Sequence, residues 1–485
     1  MSKSIKKNFV MNIILTMSSF IFPLITFPYV SRVLLPVGTG KVAFATSVVT
    51  YFSMFAQLGI PTYGIRACAQ VRDDREKLSK VVQELWIINM VMTIGVYILF
   101  FCSLYLVPRM RSDKILFIII GSMIFFNSIG MEWVYKALEE YTYITIRSII
   151  FKIIALGMMF LLVKNREDYV IYGMVSILAS SASNIMNCIN IHKYINLQPI
   201  GNYNFKQHVK PIMLFFAMAC ATTIYTNFDT VMLGFMKSDE EVGYYNAAIR
   251  IKNILVSIIT SLGTVLLPRA SYYVENGLKE EFKKIAQKSA NFVFLLAIPM
   301  IIYFSVFARE CIIFLSGDAY IKAIKPMQVL MPTLLFIGLT NIIGLQIMVP
   351  LELEKWSLYS YIIGAGVDLV LNMLLIPSIG ATGAAIGTVA AEIVVLAYQF
   401  QAVKKHISNI FVGVQYKKIV LSTLVAVLIS VWTKLINVNC FITLAISASL
   451  FFAGYGITLL ILKEQMVCDI EMQIFDKIKS RIKGI

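Results

Sequence analysis

The chain has 485 residues, of which 58% are hydrophobic and 14% are charged, and its mean hydropathy is +0.77. Soluble domains carry about 25% charged residues, so this composition excludes a soluble globular protein and predicts a polytopic membrane protein. The formal net charge is +16. Because cytoplasmic loops of membrane proteins collect Lys and Arg, we interpret this charge as a topology signal and expect no nucleic-acid partner.

Cysteines, histidines and short motifs exclude several kinds of site. The seven cysteines fall mostly in apolar segments and form no CxxC pair, which argues against a disulfide framework or a zinc site. The sequence contains no HExxH, GxSxG or GxxxxGK[ST] pattern. We therefore predict no catalytic residues, no metal and no cofactor, and we expect that the protein is not an enzyme.

Apolar runs predict about fourteen membrane-spanning helices, because about 20 apolar residues suffice for a helix to cross the bilayer. In chain order the predicted helices are 9–29, 42–60, 81–107, 115–137, 143–163, 169–191, 212–236, 242–261, 290–307, 327–350, 356–376, 381–402, 419–436 and 440–462. Pro23 and Pro28 are expected to kink or end the first helix. Residues 59–80 are expected to form a polar connection, and 469–485 a basic amphipathic tail.

The helices predict two lobes and a C-terminal extension. We expect an N-lobe at 1–192, a cytoplasmic linker at 193–211, a C-lobe at 212–403, and two further helices with the basic tail at 404–485. An even number of spans places both termini on one side of the membrane. The excess of Lys and Arg on that side indicates that both termini are cytoplasmic.

A weak internal repeat supports this division. The segment Gly40–Ala45 resembles Gly243–Ala248, and each follows a predicted helix and a short break. Transporters built from two repeats place their substrate at the interface between the repeats. The repeat is therefore typical of a two-lobed transporter.

Polar residues recur along the two helices of the stretch 212–261. The first helix carries Asp229 and the second carries Arg250, each at helical spacing from other polar side chains. A charge at membrane depth costs about 2.5–3.5 kcal/mol on insertion scales, so such residues should face a protein interior or a wet cavity. We interpret the two stripes as the lining of a hydrated pocket.

Three segments of this sequence resemble a known family. NFDTVMLG (227–234), VGYYNAAIRI (242–251) and LNMLLIPSIGATGAAIGTVAAE (371–392) are similar to the polysaccharide-exporter family of the MOP flippase superfamily, which includes the Wzx-type O-antigen and capsule repeat-unit flippases. The resemblance covers nearly the whole chain. It implies an all-α, MATE-like fold, with two six-helix lobes around a central cavity and two extra C-terminal helices.

The resemblance also implies a function. Members translocate undecaprenyl-pyrophosphate-linked oligosaccharide from the cytoplasmic to the outer leaflet of the bacterial inner membrane, by alternating access. Membrane lipids are expected partners, and a polysaccharide polymerase and a chain-length regulator are candidate partners. A pyrophosphate requires cations, and Arg is suited to bidentate contact. The candidate substrate-binding residues are accordingly Arg250, Lys252, Asn246, Asn253, Asp229, Arg32, Lys41, Arg147 and Lys152.

Each candidate cation has a structural alternative. Arg250 could form an ion pair with Asp229 and still line the cavity. Arg147 and Lys152 could extend toward lipid headgroups. The pair Arg32 and Lys41 could anchor the chain at the interface.

Two further arginines are candidates for headgroup recognition at the cavity entrance. These are Arg66 and Arg269. The alternative for both is that they mark the cytoplasmic ends of helices.

Intramembrane acids suggest coupling to a Na⁺ or H⁺ gradient. The candidates are Asp229, Glu132, Asp368 and Glu392. The alternative is a hydrogen-bonded structural carboxylate at each position. No acid occurs in the first helix, where MATE drug exporters of the same superfamily often have one, which weakens a MATE-type coupling.

Other functions stay open. A MATE-type multidrug or cation antiporter and a lipid II flippase would share the fold. A membrane-embedded glycosyltransferase would need a sizeable outer loop with catalytic residues, and every predicted outer loop is short. Gly383 and Gly387 form a GxxxG run that predicts close helix packing.

Overall fold

The computed structural model describes residues 5–404, 411–436, 438–468 and 471–472. In those ranges the chain forms helices and turns and no β-strand. It divides into two compact units, Met1–Asn246 and Ala247–Ile485. The predicted lobe boundaries stay a prediction, and the predicted tail lies almost wholly outside the described ranges.

The first unit consists of ten helices and the start of an eleventh. The ten helices are α1 (Ile5–Gln57), α2 (Ile60–Gln70), α3 (Arg75–Leu106), α4 (Pro108–Ser112), α5 (Lys114–Gly130), α6 (Glu132–Ala137), α7 (Tyr141–Leu162), α8 (Tyr169–Ile177), α9 (Asn184–Asn190) and α10 (Lys206–Met236). A π-helical segment, Leu178–Ala182, joins α8 to α9. Helix α1 packs against α3, α5, α7 and α10, so it is the central helix of this unit.

The second unit continues from α11 (Asp239–Glu275), which begins in the first unit. Its other helices are α12 (Lys279–Val306), α13 (Ala308–Ser316), α14 (Ile324–Leu330), α15 (Thr333–Asn341), α16 (Glu354–Val403), α17 (Tyr416–Val431) and α18 (Cys440–Ile461). Helices α17 and α18 pack on each other and on α12.

The long helix α1 breaks at Leu35, which has φ 59° and ψ −179°. The following Pro36 disfavours helical backbone at the residue before it and cannot donate a backbone hydrogen bond. Pro23 and Pro28 lie within the helix on the near side of this break. Of the two outcomes predicted for these prolines, a kink or an end, the structure excludes the end, because the helix continues through both of them.

The connection predicted at 59–80 is largely helical. Residues Ile60–Gln70 form α2, in which Ile60, Gly64 and Cys68 are buried. These residues recur at a spacing of four, so they form one apolar face. The polar connection is reduced to the turn before α3, where the carboxylate of Asp74 caps the helix by accepting hydrogen bonds from the backbone N–H groups of Glu76 and Lys77.

Helix α16 is two helices joined at a sharp turn. Ile379 and Gly380 have non-helical backbone angles, with φ 53° at Gly380. The amide of Gln399 donates a hydrogen bond of 3.0 Å to the hydroxyl of Ser360, so the two halves run side by side. A Cβ at Gly383 would lie 2.6 Å from the carbonyl carbon of Leu375. The close packing expected of the GxxxG run is thus present.

The helices account for the predicted spans. Among the described residues, nine helices are long and apolar enough to cross a membrane, or ten if the bent pair Asp318–Leu330 and Thr333–Met348 is one span. The number of spans rises from ten to fourteen if α1 and α16 are each counted as two helices and if the shorter α5 and the partly apolar α11 are added. The chain is a multi-pass, all-α membrane protein, as predicted.

Candidate functional site

Arg147 is a buried arginine inside the first unit. It lies on α7, and 5% of its side chain is exposed. Its Nη2 donates to Oε2 of Glu132 over 2.9 Å, and its Nη1 donates to the carbonyl oxygen of Ser183 and to Oδ1 of Asn184, both over 3.1 Å. The alternative that Arg147 extends toward lipid headgroups is therefore wrong, because its guanidinium is held inside the unit by three acceptors.

Two lysines accompany this arginine. Lys136 Nζ lies 2.9 Å from Oε1 of Glu132, and about a third of each side chain is exposed. Lys152, one turn and a half along α7 from Arg147, donates from Nζ to the hydroxyls of Ser18 and Ser19 on α1, over 2.8 and 3.0 Å. Both ammonium groups are half-buried, so they can be reached by a ligand.

We call Glu132, Lys136, Arg147 and Lys152 the cation cluster. It contains three cations and one carboxylate, so its formal charge is +2. The Nε of Arg147 is buried and has no hydrogen-bond partner among the described residues. Two accessible ammonium groups in a cluster of positive charge, next to a guanidinium that holds the carboxylate in place, are suited to binding a phosphate or a similar anion.

Local breaks in the helices place Glu132 and the acceptors of Arg147. The chain leaves α5 through Met131, which has φ 42°, and enters α6 at Glu132. Trp133, Val134 and Tyr135 are buried in the core and hold α6 in place. On the other side of Arg147, the π-helical segment ends at Ser183. Since π-turns disturb the regular helical hydrogen bonds, the Ser183 carbonyl is available to the guanidinium.

Two other predicted cations of the first unit, Lys41 and Arg32, contact residues outside the cation cluster. Lys41 Nζ lies 2.8 Å from Oδ1 of Asp113 and is near the hydroxyl of Tyr169. The guanidinium of Arg32 donates to the backbone carbonyl of Pro28 over 2.6 Å and is exposed. Whether the two residues bind substrate or anchor the chain at the membrane interface stays a prediction.

The remaining predicted site residues of the first unit are Asp229 on α10, Asn246 on α11 and Arg66 on α2. Asp229 is buried on α10 and accepts a hydrogen bond from the hydroxyl of Tyr245. Asn246 is half-buried, and Arg66 is exposed. Their roles in substrate binding, coupling or headgroup recognition stay predictions.

The second unit contains the other predicted site residues. On α11, Arg250 and Lys252 are half-buried and Asn253 is exposed. Arg269, near the end of the same helix, donates from Nε to the hydroxyl of Tyr273 over 2.8 Å. The interactions predicted for Arg250, including the ion pair with Asp229, stay predictions.

Two acids on α16 form a polar interior in the second unit. Asp368 and Glu392 are both 4% exposed, and Asn372 is fully buried. A Cβ at Gly387 would lie 2.4 Å from Oδ1 of Asn372 and 2.8 Å from Oδ1 of Asp368. Because Gly387 has no side chain, it makes room for these two oxygens between the halves of α16. Their role in ion coupling stays a prediction.

Sequence reasoning missed several members of these polar groups. Lys136 is four residues after Glu132, a helical ion-pair spacing that could have revealed it. Asn184 contacts Arg147, and Arg109 pairs with Asp239. In both pairs the two residues are far apart in the sequence, so no local signal indicates them.

A second buried group that sequence reasoning missed surrounds Glu84. This carboxylate, on α3, accepts hydrogen bonds from the backbone N–H of Asn204 and from the side chains of Gln207 and His208. The other ring nitrogen of His208 is 2.8 Å from the hydroxyl of Tyr63. The group attaches the start of α10 to α2 and α3.

Comparison with known proteins identifies the family. A family model described as "Polysaccharide biosynthesis protein" matches residues 5–274, more than half of the chain. The chain belongs to this family. A second model, MatE, matches residues 214–374. The resemblance to polysaccharide exporters of the MOP superfamily is thereby confirmed.

Relatives of this polysaccharide biosynthesis protein agree with that assignment. An Escherichia coli (strain K12) protein named "Putative O-antigen transporter" is 23% identical over 408 residues, which cover 83% of this chain and 97% of the relative. The solved structure "Lipid II flippase MurJ, inward closed conformation" covers 94% of this chain and 99% of its own, with a TM-score of 0.72 and 16% identity.

A second solved structure has the same fold. An inward-facing multidrug resistance MATE family transporter of the MOP superfamily covers 80% of this chain and 94% of its own, with a TM-score of 0.60 and 13% identity. At these identities the two structures establish the fold alone. The MATE-like fold predicted from the sequence is confirmed.

Proposed function

We propose that the protein is a flippase that moves undecaprenyl-pyrophosphate-linked oligosaccharide repeat units from the cytoplasmic to the outer leaflet, by alternating access. The observation that carries the proposal is the cation cluster formed by α6 and the apolar helix α7 in a member of the polysaccharide biosynthesis protein family. The relative named for O-antigen transport supports the choice of substrate class. The product would supply O-antigen, capsule or exopolysaccharide synthesis.

The chemistry of the cargo explains why such a cluster is needed. An oligosaccharide and a pyrophosphate would lose their hydrogen bonds to water in the hydrocarbon, at a cost of several kcal/mol for each unsatisfied group. Cations inside the protein replace part of that hydration for the pyrophosphate, while the polyprenyl chain stays in lipid. Lys136 and Lys152 would contact the anion, and Arg147 would hold the carboxylate of Glu132 and add its positive charge to the cluster.

Localisation and partners follow from this proposal. We place the protein in the bacterial cytoplasmic membrane with both termini in the cytoplasm, on the basis of the Lys and Arg distribution. A polysaccharide polymerase and a chain-length regulator would act on the exported units. The transport step makes and breaks no covalent bond, so the protein would not act as an enzyme.

Transport against a gradient needs an energy source, and we propose Na⁺ or H⁺ coupling. The buried acids Asp368 and Glu392 support this, since intramembrane acids often bind coupling ions. Asp229 is a further candidate. Glu132 is a weaker one, because its carboxylate is already shared between Arg147 and Lys136.

A MATE-type antiporter for organic cations is the second candidate function. The MatE match over residues 214–374 favours it. The positive charge of the cation cluster disfavours it, because a cationic drug would be repelled there. A lipid II flippase would carry the same pyrophosphate anchor, so the cluster alone does not distinguish it from a repeat-unit flippase.

The experiment is complementation in a bacterium that lacks its own repeat-unit flippase. We expect the wild-type chain to restore surface glycan, Lys152→Met to reduce it strongly, and Lys152→Arg to retain much of it. Lys164→Ala, which changes an exposed lysine outside the helices, is the matched control. Restoration by Lys152→Met at wild-type level would contradict the proposal, and rescue of a strain lacking its lipid II flippase would instead favour that function.

A further inference from the structure

The two halves of the internal repeat meet at one end of the first unit. A Cβ at Gly40 would lie 1.8 Å from the carbonyl oxygen of Asp239 and 2.9 Å from the backbone nitrogen of Gly243. Conversely, a Cβ at Gly243 would lie 2.2 Å from the carbonyl oxygen of Pro36. The backbones therefore touch directly, and only glycine fits at both positions.

This contact is reciprocal. Gly40 and Gly243 are 203 positions apart in the sequence, and so are Pro36 and Asp239. Each glycine of one repeat packs on the residue four positions before the glycine of the other. Such an isologous contact is what a local two-fold relation between two equivalent segments produces. We call these four residues the glycine clasp.

An ion pair between Arg109 and Asp239 lies next to the glycine clasp. Arg109, on α4, pairs with the carboxylate of Asp239, and its Nε donates to the carbonyl oxygen of Gly234 over 3.0 Å. Its guanidinium carbon lies 5.0 Å from the centre of the Phe44 ring. A Cβ at Gly234 would meet that same ring at 2.0 Å. Arg109 thus fastens the turn between α10 and α11 to the second half of α1.

The composition of the clasp allows it to separate. Glycine contacts join backbones without interlocking side chains, so their release exposes little apolar surface. The ion pair is also partly exposed, with 27% of the Arg109 side chain and 13% of the Asp239 side chain accessible. Water that reaches the pair weakens it, so the pair can be broken and re-formed in each transport cycle.

We propose that the glycine clasp and the Arg109–Asp239 pair form the outer gate of the transporter. The proposal rests on the proposed function, because the membrane orientation given there places this end of the first unit outside. With the gate closed, the turn after α10 covers the second half of α1. With the gate open, the outer leaflet gains access to the face of α1 that carries Gly40, Phe44 and Ser47.

The test measures access to that face. Ser47 is seven residues after Gly40, on the same side of α1, and is 8% exposed. The variant Ser47→Cys is labelled with a membrane-impermeant maleimide from outside, in a chain whose native cysteines are replaced. We expect slow labelling, and an increase when Gly40→Ala is added, because the new Cβ cannot fit against Asp239. Gly95→Ala is the matched control, since nothing lies within 4 Å of its Cβ position.

A second pair of variants tests the ion pair without a steric change. Asp239→Asn should raise labelling of the Ser47→Cys chain by up to about fivefold, which corresponds to loss of about 1 kcal/mol. Asp239→Arg should raise it as well, and the exchanged pair Arg109→Asp with Asp239→Arg should return it toward the starting value. Unchanged labelling in both Gly40→Ala and Asp239→Asn would overturn the gate.

Labelling needs no glycan substrate, so the gate and the proposed function fail separately. Suppose that Gly40→Ala raises labelling but that the wild-type chain does not restore glycan export. The gate proposal is then supported, and the flippase proposal fails. If wild-type export is normal and no clasp variant changes labelling, the flippase proposal stands and the gate fails.

Discussion

Two polar interiors, one in each unit, differ in the sign of their charge. In the first unit, the polar interior around α7 combines Arg147 with Lys136 and Lys152 against one carboxylate. In the second unit, the interior of α16 buries Asp368 and Glu392 together with neutral amides and hydroxyls. Among the described lysines and arginines, Arg147 alone is buried, whereas buried acids occur in both units, including Glu84 and Asp229 in the first and Asp368 and Glu392 in the second. The polar interior around α7 and that of α16 are thus two different electrostatic environments.

We infer from this difference that the two interiors bind different kinds of ligand. An interior with net positive charge favours an anionic headgroup, and an interior with acids favours a cation or a proton. If both interiors served only to stabilise the fold, their buried charges would lower the stability of each unit, because removing a charge from water is unfavourable. The following predictions separate the two environments, beginning with the largest expected effect.

Arg147→Ala should abolish glycan export. The substitution removes one of the three cations and leaves Glu132 with Lys136 as its charged partner, so the charge of the cluster falls from +2 to +1. Arg147→Lys keeps the charge but cannot reach all three acceptors, so export should be partial. The measurement is surface glycan divided by the amount of protein in the membrane, with the exposed Arg111→Ala as control. Normal export by Arg147→Ala would remove the anion role of the first unit.

Acid substitutions in the second unit should have a different effect. Asp368→Asn and Glu392→Gln keep the shape of each side chain and remove its charge. We expect export to lose its dependence on the ion gradient and to fall by about 10–100-fold, the loss that mutation of residues supporting a metal-ion site typically causes. The measurement is flux in vesicles with and without Na⁺ and pH gradients. Gradient-dependent flux retained in both variants would exclude coupling at α16.

The sequence predicts the helices of this protein well, because their apolar lengths match the bilayer. Residues 440–462 were predicted as the last span, and α18 is Cys440–Ile461. Breaks were predicted less well. Pro23, Pro28 and Pro36 are equivalent in local sequence terms, but the helix breaks at Leu35, where the chain meets the turn after α10. That choice depends on tertiary contacts.

The candidate site was predicted in part. Charges within apolar runs pointed to Glu132, Arg147 and Lys152, and the structure brings these three residues into one polar group, although their roles stay predictions. The sequence pattern does not show which helix lies opposite each charge. Arg147 could thus be interpreted as a headgroup anchor, although Ser183 and Asn184 hold it inside. Arg109 and Asp239, 130 positions apart, could not be paired from the sequence for the same reason.

Two buried carboxylates allow a comparison of stability between the units. Glu84 in the first unit accepts from three donors, and Glu464 in the second accepts from Asn291 and from the backbone of Val467. A buried group left unsatisfied costs about 1–3 kcal/mol. Glu84→Ala should therefore lower the melting temperature more than Glu464→Ala, as measured by thermal unfolding of detergent-solubilised protein. Equal shifts would show that the number of donors does not decide the stability of these groups.

The smallest effect is expected at the cap of α3. The backbone N–H of Lys77 holds the pKa of Asp74 below its ordinary value, with further help from the Lys77 ammonium. A lowered pKa in the folded protein stabilises it above the ordinary pKa, and this stabilisation is lost as the pH falls through the folded-state pKa. Asp74→Ala should thus lower the melting temperature slightly at pH 7 and have less effect near pH 3. An equal effect at both pH values would contradict this account of the cap.

The most direct test of the central claim is flipping in proteoliposomes. The substrate is a fluorescent polyprenyl-pyrophosphate oligosaccharide, and its arrival in the opposite leaflet is detected by a glycosidase added outside. Wild type and the control Arg111→Ala should flip it, Asp368→Asn should flip it without responding to an ion gradient, and Arg147→Ala should not flip it. Equal flipping by Arg147→Ala and wild type would contradict the claim that the cation cluster receives the pyrophosphate.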